Sequence, residues 1–384
     1  MEYNEIYLCL YLLGISNKII LNIMNEVCED ELCEILGENY ENISYKYNLE
    51  LNKYHNKLVD TYVLSNVKNE AKIIQQRNEE LGITMITYRD EEYPNSLREI
   101  DNPPAIIYVK GRGIKERDYK SIAIVGTRTP TRFGGIAAQT LSEKLTLEGF
   151  AIVSGLAKGI DTRAHASCIV NGGKTIAVLA HGLDVIYPKE NQYLADKILN
   201  AGGALISQYP VGTKADKFRF VERNRIIAGL SRGVIVCEAK EKSGTMHTVE
   251  YAIEQGKKIF CPIPVALAPS TEGLYKLLKS GIAIGIQNID EYTLIVNEIG
   301  YKGEICSRKN FDNNVNKEDN KNQEKLLKIM QNIGYEAYES NLDDYDTSKL
   351  YNDFKDIMDE NNIDVKRFFK NIMYRIICDY KEGD

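Results

Sequence analysis

Residues 223 to 227 read Arg-Asn-Arg-Ile-Ile, and they follow three glycine-rich junctions that begin at Gly126, Gly155 and Gly182. Glycine lets backbone N–H groups approach an anion closely. A helix N-terminus favours negative charge, and the planar guanidinium of arginine matches phosphate oxygens. The combination points to phosphate handling, by either a nucleotide or a nucleic acid strand.

The first junction is Gly126-Thr127-Arg128-Thr129-Pro130. It lacks the dinucleotide Gly-x-Gly-x-x-Gly spacing, and Gly126 to Gly134 is too wide for a Walker loop. Arg128 is placed to clamp a phosphate over the sheet edge. The second junction, Ser154-Gly155-Leu156-Ala157-Lys158-Gly159-Ile160-Asp161, can form an anion nest, with Lys158 as a point charge and Asp161 as a cap or a sugar-hydroxyl acceptor. His165 follows Asp161 by four residues, a spacing that suits a structural Asp–His contact better than catalysis. The third junction runs through Gly182-Leu183-Asp184 to Tyr187-Pro188-Lys189-Glu190-Asn191. The fourth combines Lys214, Lys217 and Arg219 with Arg223, Asn224 and Arg225, giving five positive side chains within twelve residues. Phe218 and Phe220 in that stretch could stack bases or anchor the loop. A fifth turn, Ser243-Gly244-Thr245, opens a further helix and is followed by Glu250.

The elements that must position these residues follow from the pattern of apolar runs. From Ser121, short β-branched runs alternate with helical segments: 122 to 125, 151 to 153, 175 to 179, 204 to 206, 233 to 237 and 258 to 261. Continuous apolar strands between helices predict a doubly wound, mostly parallel α/β sheet of Rossmann-like type. Its ligands lie beyond the strand C-terminal ends, where the motifs fall. Before it, 84 to 120 reads as short Pro-punctuated strands added at the sheet edge. Residues 1 to 80 read as a small helical domain with a break at Leu13-Gly14-Ile15. The expected organisation is a helical domain over 1–80, the Rossmann-like domain over 84–300, a polar linker over 301–325 and a helical C-terminal region over 326–384. No β-hairpin signal appears in that last region, so a winged helix is not expected there.

Composition narrows the class. Net charge is −7, yet residues 121 to 280 carry 20 Lys+Arg against 13 Asp+Glu, a balance of +7 that leaves −14 elsewhere. Charges more than about 8 Å apart are largely screened at physiological salt, so a basic surface can act within an acidic chain. The eight cysteines have no C-x-x-C pairing and only four histidines accompany them, which favours reduced thiols over disulfides or zinc. No apolar run approaches the roughly 20 residues of a membrane span, and the acidic start Met-Glu-Tyr-Asn-Glu does not suit a secretory signal; a cytoplasmic protein is expected.

Taken together, 124 to 128, 153 to 161 with His165, 172 to 179, 182 to 191 and 223 to 231 resemble the DNA-processing protein family DprA, also called Smf. The stretch from Tyr93-Pro94 through Asn102-Pro103-Pro104 to Tyr108 is similar to what precedes that family's Rossmann-like domain, so the likeness runs in order over about 84 to 285. It implies a non-catalytic protein without cofactor that binds and protects single-stranded DNA during transformation and helps load the RecA recombinase. It also implies a homodimer formed through the Rossmann-like domain, and a sterile-alpha-motif-like fold for the helical N-terminus. Strand-end residues carried over as DNA contacts are Arg128, Lys158, Lys189 and Arg223-Asn224-Arg225. The chain departs from the family at Gln208, where Glu is usual, and at Val221, where Pro is usual. The Ser243-Gly244-Thr245 turn followed by Glu250 leans towards the LOG-type phosphoribohydrolases, which cleave nucleotides. Glu250 is not spaced as in that group and reads as a solvated or capping residue.

Overall fold

The computed structural model describes residues 3–37, 39–112, 120–287 and 291–299; the expected linker and C-terminal helical region lie outside the described residues. The N-terminal helices are α1 (Tyr3–Leu12), α2 (Asn17–Glu26), α3 (Glu29–Leu32), α4 (Tyr40–Lys46), α5 (His55–Leu58) and the long α6 (Thr61–Leu81). Leu13-Gly14-Ile15 turns between α1 and α2, with Gly14 at φ 77° and Lys57 donating to the Leu13 carbonyl at 2.7 Å. Asp60 caps α6 by accepting from the Tyr62 and Val63 amides, and Gly82 ends it in the left-handed conformation.

Two strands, β1 (Ile83–Thr87) and β2 (Ile106–Gly111), flank the short α7 (Asn95–Arg98) and pair antiparallel with each other. The alternating region then supplies β3 (Ser121–Val125), α8 (Arg132–Leu147), β4 (Ala151–Ser154), α9 (Ile160–Val170), β5 (Thr175–Leu179), α10 (Gln192–Asn200) and β6 (Ala204–Ser207). It continues through α11 (Lys217–Gly229), β7 (Gly233–Val236), α12 (Gly244–Glu254), β8 (Lys258–Pro262), α13 (Glu272–Lys279), β9 (Ala283–Ile286) and α14 (Tyr292–Ile299). One nine-stranded sheet results, ordered β1-β2-β6-β5-β4-β3-β7-β8-β9. Strands β3 to β9 are parallel, and β2 joins β6 antiparallel, so the Pro-punctuated strands are an edge addition as their sequence suggests. Chain order reverses on the two sides of β3, which puts the switch point between β3 and β7.

The strands are apolar throughout because both faces are covered. Within β3, Ile122 and Ile124 join the core under α8, α9 and α14, while Ala123 and Val125 join the one under α11, α12 and α13. Each buried Ile or Val contributes about 1.5–3 kcal/mol through area removed from water. A third core runs unbroken from α1, α2 and α6 into Ile83, Tyr108, Ala177 and Leu205 of the sheet. The N-terminal helices are therefore a layer on the sheet as well as a helical segment. Asn17 reinforces the junction: its Nδ2 donates to the Asn102 side chain at 2.7 Å and the Pro103 carbonyl at 2.8 Å, and its Oδ1 accepts from the Ala105 amide at 2.8 Å.

Candidate nucleic-acid interface

The strand ends gather the sequence motifs into one connected face. At the first turn, the Thr127 amide donates to the Glu238 carbonyl after β7 at 2.8 Å, and Ile160 at the start of α9 donates to the Thr127 carbonyl at 3.2 Å. Gly159 sits at φ 83°, ψ −120°, and a Cβ there would lie 2.5 Å from the Thr127 carbonyl oxygen and 2.6 Å from that of Arg128. No side chain fits between the first and second turns. Glu238 is fully buried and accepts from the Thr131 amide at 2.9 Å and the Thr131 hydroxyl at 3.0 Å, while Thr131 caps α8. These contacts hold the exposed Arg128 at the switch point.

The second turn is turned inward. Its Gly155 and Ala157 amides donate to the Asp161 carboxylate at 3.1 and 3.3 Å, so the expected anion nest already holds an anion supplied by the chain itself. Asp161 is thus neither helix cap nor open sugar acceptor. Ser154 Oγ donates to the Ile124 carbonyl at 2.6 Å. Arg223 is buried beneath, donating to the Gly155 carbonyl at 2.7 Å and to the Val178 carbonyl. Burial brings its pKa down to about 10, with Asp161 pulling the other way, and burial raises that of Asp161 against the opposing charge of Arg223. Of the triplet that first suggests phosphate binding, Arg223 and Asn224 are buried and only Arg225 is partly exposed. Asn224 donates to the Gly244 carbonyl at 3.1 Å, tying α11 to the Ser243-Gly244-Thr245 turn, where Ser243 Oγ donates to the Lys240 carbonyl at 2.9 Å. Arg225 donates to the carbonyls of Asp101 and Asn102 and faces Gln208 Oε1 at 3.4 Å. The Asp161–His165 contact suggested by spacing does not form: His165 Nδ1 pairs instead with Thr175 Oγ1 at 2.6 Å.

Solvent-facing cations come from elsewhere in the set. The Arg128 guanidinium lies 5.4 Å from the centre of the Phe220 ring, Arg223 lies 5.8 Å from the same ring, and Tyr187 stacks on it at 5.8 Å with a 51° tilt. Phe220 is the hub that joins the first, third and fourth strand ends, whereas Phe218 is 71% exposed. Arg219 lies over Tyr209 at 5.3 Å and donates to the Lys214 carbonyl at 2.5 Å. Lys189 and Lys217 are exposed. Among the described residues neither they nor Arg128 has a carboxylate partner. Lys158 pairs with Glu190 at 2.7 Å, but both are more than half exposed, so solvent screens the pair and it holds them only weakly. Asn191 is structural, donating to the Leu156 carbonyl at 2.7 Å. Glu250 is exposed on α12 and pairs with His247 at 2.9 Å. Thr131 and Tyr209 also support the face; they lie outside the Gly and Arg motifs and carry no local signal of their own.

A doubly wound sheet whose strand-end turns are braced from within, and whose outer rim carries arginine, lysine and aromatic rings, defines a Rossmann-like protein with a basic strand-end face. The family model for DNA recombination-mediator protein A matches residues 84–297, and the chain belongs to that family. Protein Smf of Synechocystis is 46% identical over 214 residues, which cover 55% of this chain and 52% of that protein. The DNA processing protein DprA of Bacillus subtilis is 42% identical over 202 residues, covering 53% of this chain and 68% of that one. Against the first relative the chain thus spans about half the length. The solved structure of DprA from Streptococcus pneumoniae superposes with a TM-score of 0.60 at 32% identity, covering 77% of this chain and 98% of that one. DprA from Helicobacter pylori, whose structure was described for its single-stranded DNA binding mode, gives a TM-score of 0.51 at 30% identity over 56% of this chain and 96% of that one.

Proposed function

We propose that this protein binds single-stranded DNA along the strand-end face, without cutting it, and hands it to a recombinase. The observation that carries the reading is the pairing of unneutralised arginines with aromatic rings on one rim, Arg128 over Phe220 and Arg219 over Tyr209, with exposed Lys189 and Lys217 close in the chain to exposed Tyr187 and Phe218. Spaced cations follow a sugar–phosphate backbone while rings stack bases of any sequence. A mononucleotide needs fewer phosphate partners. The turns at Gly126, Thr127, Ser154, Gly155, Gly159 and Asp161, with Asn191, Arg223 and Asn224, act in this reading as the frame. Arg128, Lys158, Lys189, Lys217, Arg219 and Arg225 act as contacts, and Ser243, Gly244 and Thr245 extend the rim.

The single-stranded DNA binding described for the Helicobacter pylori relative supports this assignment. The family's description as a DNA recombination mediator supports the recombination role. The recombinase is RecA, the working unit is a homodimer that joins two such faces, and the setting is the cytoplasm; no helix among the described residues is long and apolar enough to cross a membrane. The nucleotide-cleaving alternative draws no support from Glu250, which faces solvent with His247 as its partner.

The test is a titration of labelled oligonucleotide at increasing salt. If the four cations Arg128, Lys189, Lys217 and Arg219 each meet a phosphate of a single strand, the log–log slope is about −3, a fall in affinity of roughly fifty-fold between about 50 and about 200 mM salt. A salt-insensitive complex with a free nucleotide, and none with the oligonucleotide, would overturn the reading.

A further inference from the structure

At the outer edge of the sheet an open cleft of about 550 Å³ is lined by Asn4 and Glu5 of α1, Gln75, Asn78 and Glu79 of α6, and Met85 of β1. It takes no part in the strand-end face. Glu5 is only 8% exposed and Asn78 only 4%, yet Glu5 Oε1 and both polar atoms of the Asn78 carboxamide have no hydrogen-bond partner among the described residues. Neither Glu5 nor Glu79 has a cation paired with it there. Burying polar atoms unpaired lowers stability, so their presence in the wall of this cleft points to a ligand that completes them.

The third wall carries a second set of unmet groups. Tyr88 donates to the Ala105 carbonyl at 2.9 Å, and antiparallel pairing alternates, so Ile86 and Thr84 also bond towards β2. Ile83 and Met85 then direct their backbone groups to the open side, because β1 ends the sheet. The Thr87 amide, of the same parity, is met from that side by Asp90 at 2.6 Å. Ile83 and Met85 also line the cleft.

Chemistry narrows the occupant. Two carboxylates repel phosphate and seek a cation; a carboxamide with donor and acceptor both free matches a peptide group; an open strand edge takes another strand. We propose that α1, α6 and β1 form a docking cleft for an extended, basic segment of a partner protein, which adds to the edge of β1, pairs a peptide group with Asn78 and places an Arg or Lys side chain against Glu5. The volume accommodates a few residues, within the range of small-ligand sites.

Met85 gives a direct reporter. The full chain, labelled with 13C at its methionine methyls, is titrated with a pool of acetylated, amidated hexapeptides carrying Arg at a fixed central position, and Met85→Leu identifies the resonance. The Met85 methyl should shift saturably with this pool and stay unmoved by the same pool with Glu at that position. Glu5→Gln and Asn78→Ala should each weaken the response at least tenfold. Glu5→Gln should melt no lower than the parent, since it removes a buried charge without a partner, and Asn78→Ala keeps the test open should that variant fold poorly. The proposal fails if the Arg pool leaves Met85 unmoved at millimolar concentration, or if both variants respond as the parent does. It fails equally if free arginine amide shifts the resonance as strongly as the peptides, which makes the site one for a small cation, or if an oligonucleotide does so. Oligonucleotide affinity is read separately, so loss of one binding activity is distinguishable from loss of the other.

Discussion

In the proposed reading Arg128 is the side chain on which single-strand binding turns, because it is exposed, unneutralised by any carboxylate among the described residues, and held over Phe220 at the switch point. Arg128→Ala should weaken oligonucleotide binding about five- to tenfold, the worth of roughly 1–1.4 kcal/mol, while leaving the melting temperature within a degree or two. An unchanged affinity in a fluorescence titration would move the interface elsewhere. Arg223 belongs to another category despite its neighbouring place in the sequence. Its guanidinium holds Gly155 and Val178 carbonyls from beneath and faces buried Asp161, so a loss of binding on its removal reports damage to the frame. His165 adds a pH response. Burial first, and then the charge of Arg223, lower its pKa to about 3. The unfolded side chain titrates near 6.5, so on acidification below that value the unfolded chain takes up the proton and the folded one does not. Stability should fall between about pH 6.5 and about pH 3, by up to about 1.4 kcal/mol per pH unit from this group. His165→Asn should flatten that part of the acid limb in urea titrations, and an acid limb of unchanged steepness would remove His165 from the account.

At the level of elements, the strand-end turns are legible as Gly-rich joints, but which way each one faces is not. The apolar runs from Ile122 to Cys261 mark six strands of the parallel sheet; β9, Ala283–Ile286, escapes because four residues with a central glycine carry little β signal. The Gly155–Asp161 turn shows why sites are harder to read than strands. Its composition is that of an anion nest, and it is one, but the anion is Asp161, six residues along the same chain from Gly155. Spacing equally suggests an Asp161–His165 pair on α9, whereas the partner of His165 is Thr175 on the next strand. Partners six and ten residues away, met where the chain folds back on itself, decide the two cases, and residue spacing alone contains neither. Gly159 is the most constrained joint, at a backbone conformation open almost solely to glycine and pressed against the Thr127 and Arg128 carbonyls. Gly159→Ala should cost about 3 kcal/mol or more, lower the melting temperature by several degrees, and weaken oligonucleotide binding by displacing Arg128. A variant that melts with the parent would mean the two turns are loosely coupled.

For the whole molecule, the expected boundary near residue 80 is crossed by a continuous core. Ile6, Leu10, Ile20 and Leu64 share a cluster with Ile83, Tyr108 and Leu205. A chain beginning at Ile83 should expose that side of the sheet and be recovered aggregated, or melt at least ten degrees below the full chain; equal stability by calorimetry would show the helices to be dispensable. The segment from Asp101 to Ala105 is part of the same junction. Asn17 of α2 grips it at Asn102, Pro103 and Ala105, and Arg225 of α11 grips it at Asp101 and Asn102. In mechanical terms it is a tie-rod clamped at both flanks, with one clamp on the N-terminal layer and the other on the helix whose start bears the basic rim. Tension applied to the first helices is carried by hydrogen bonds into α11, so a strand bound across the rim as proposed and drawn taut would load the whole thickness of the protein.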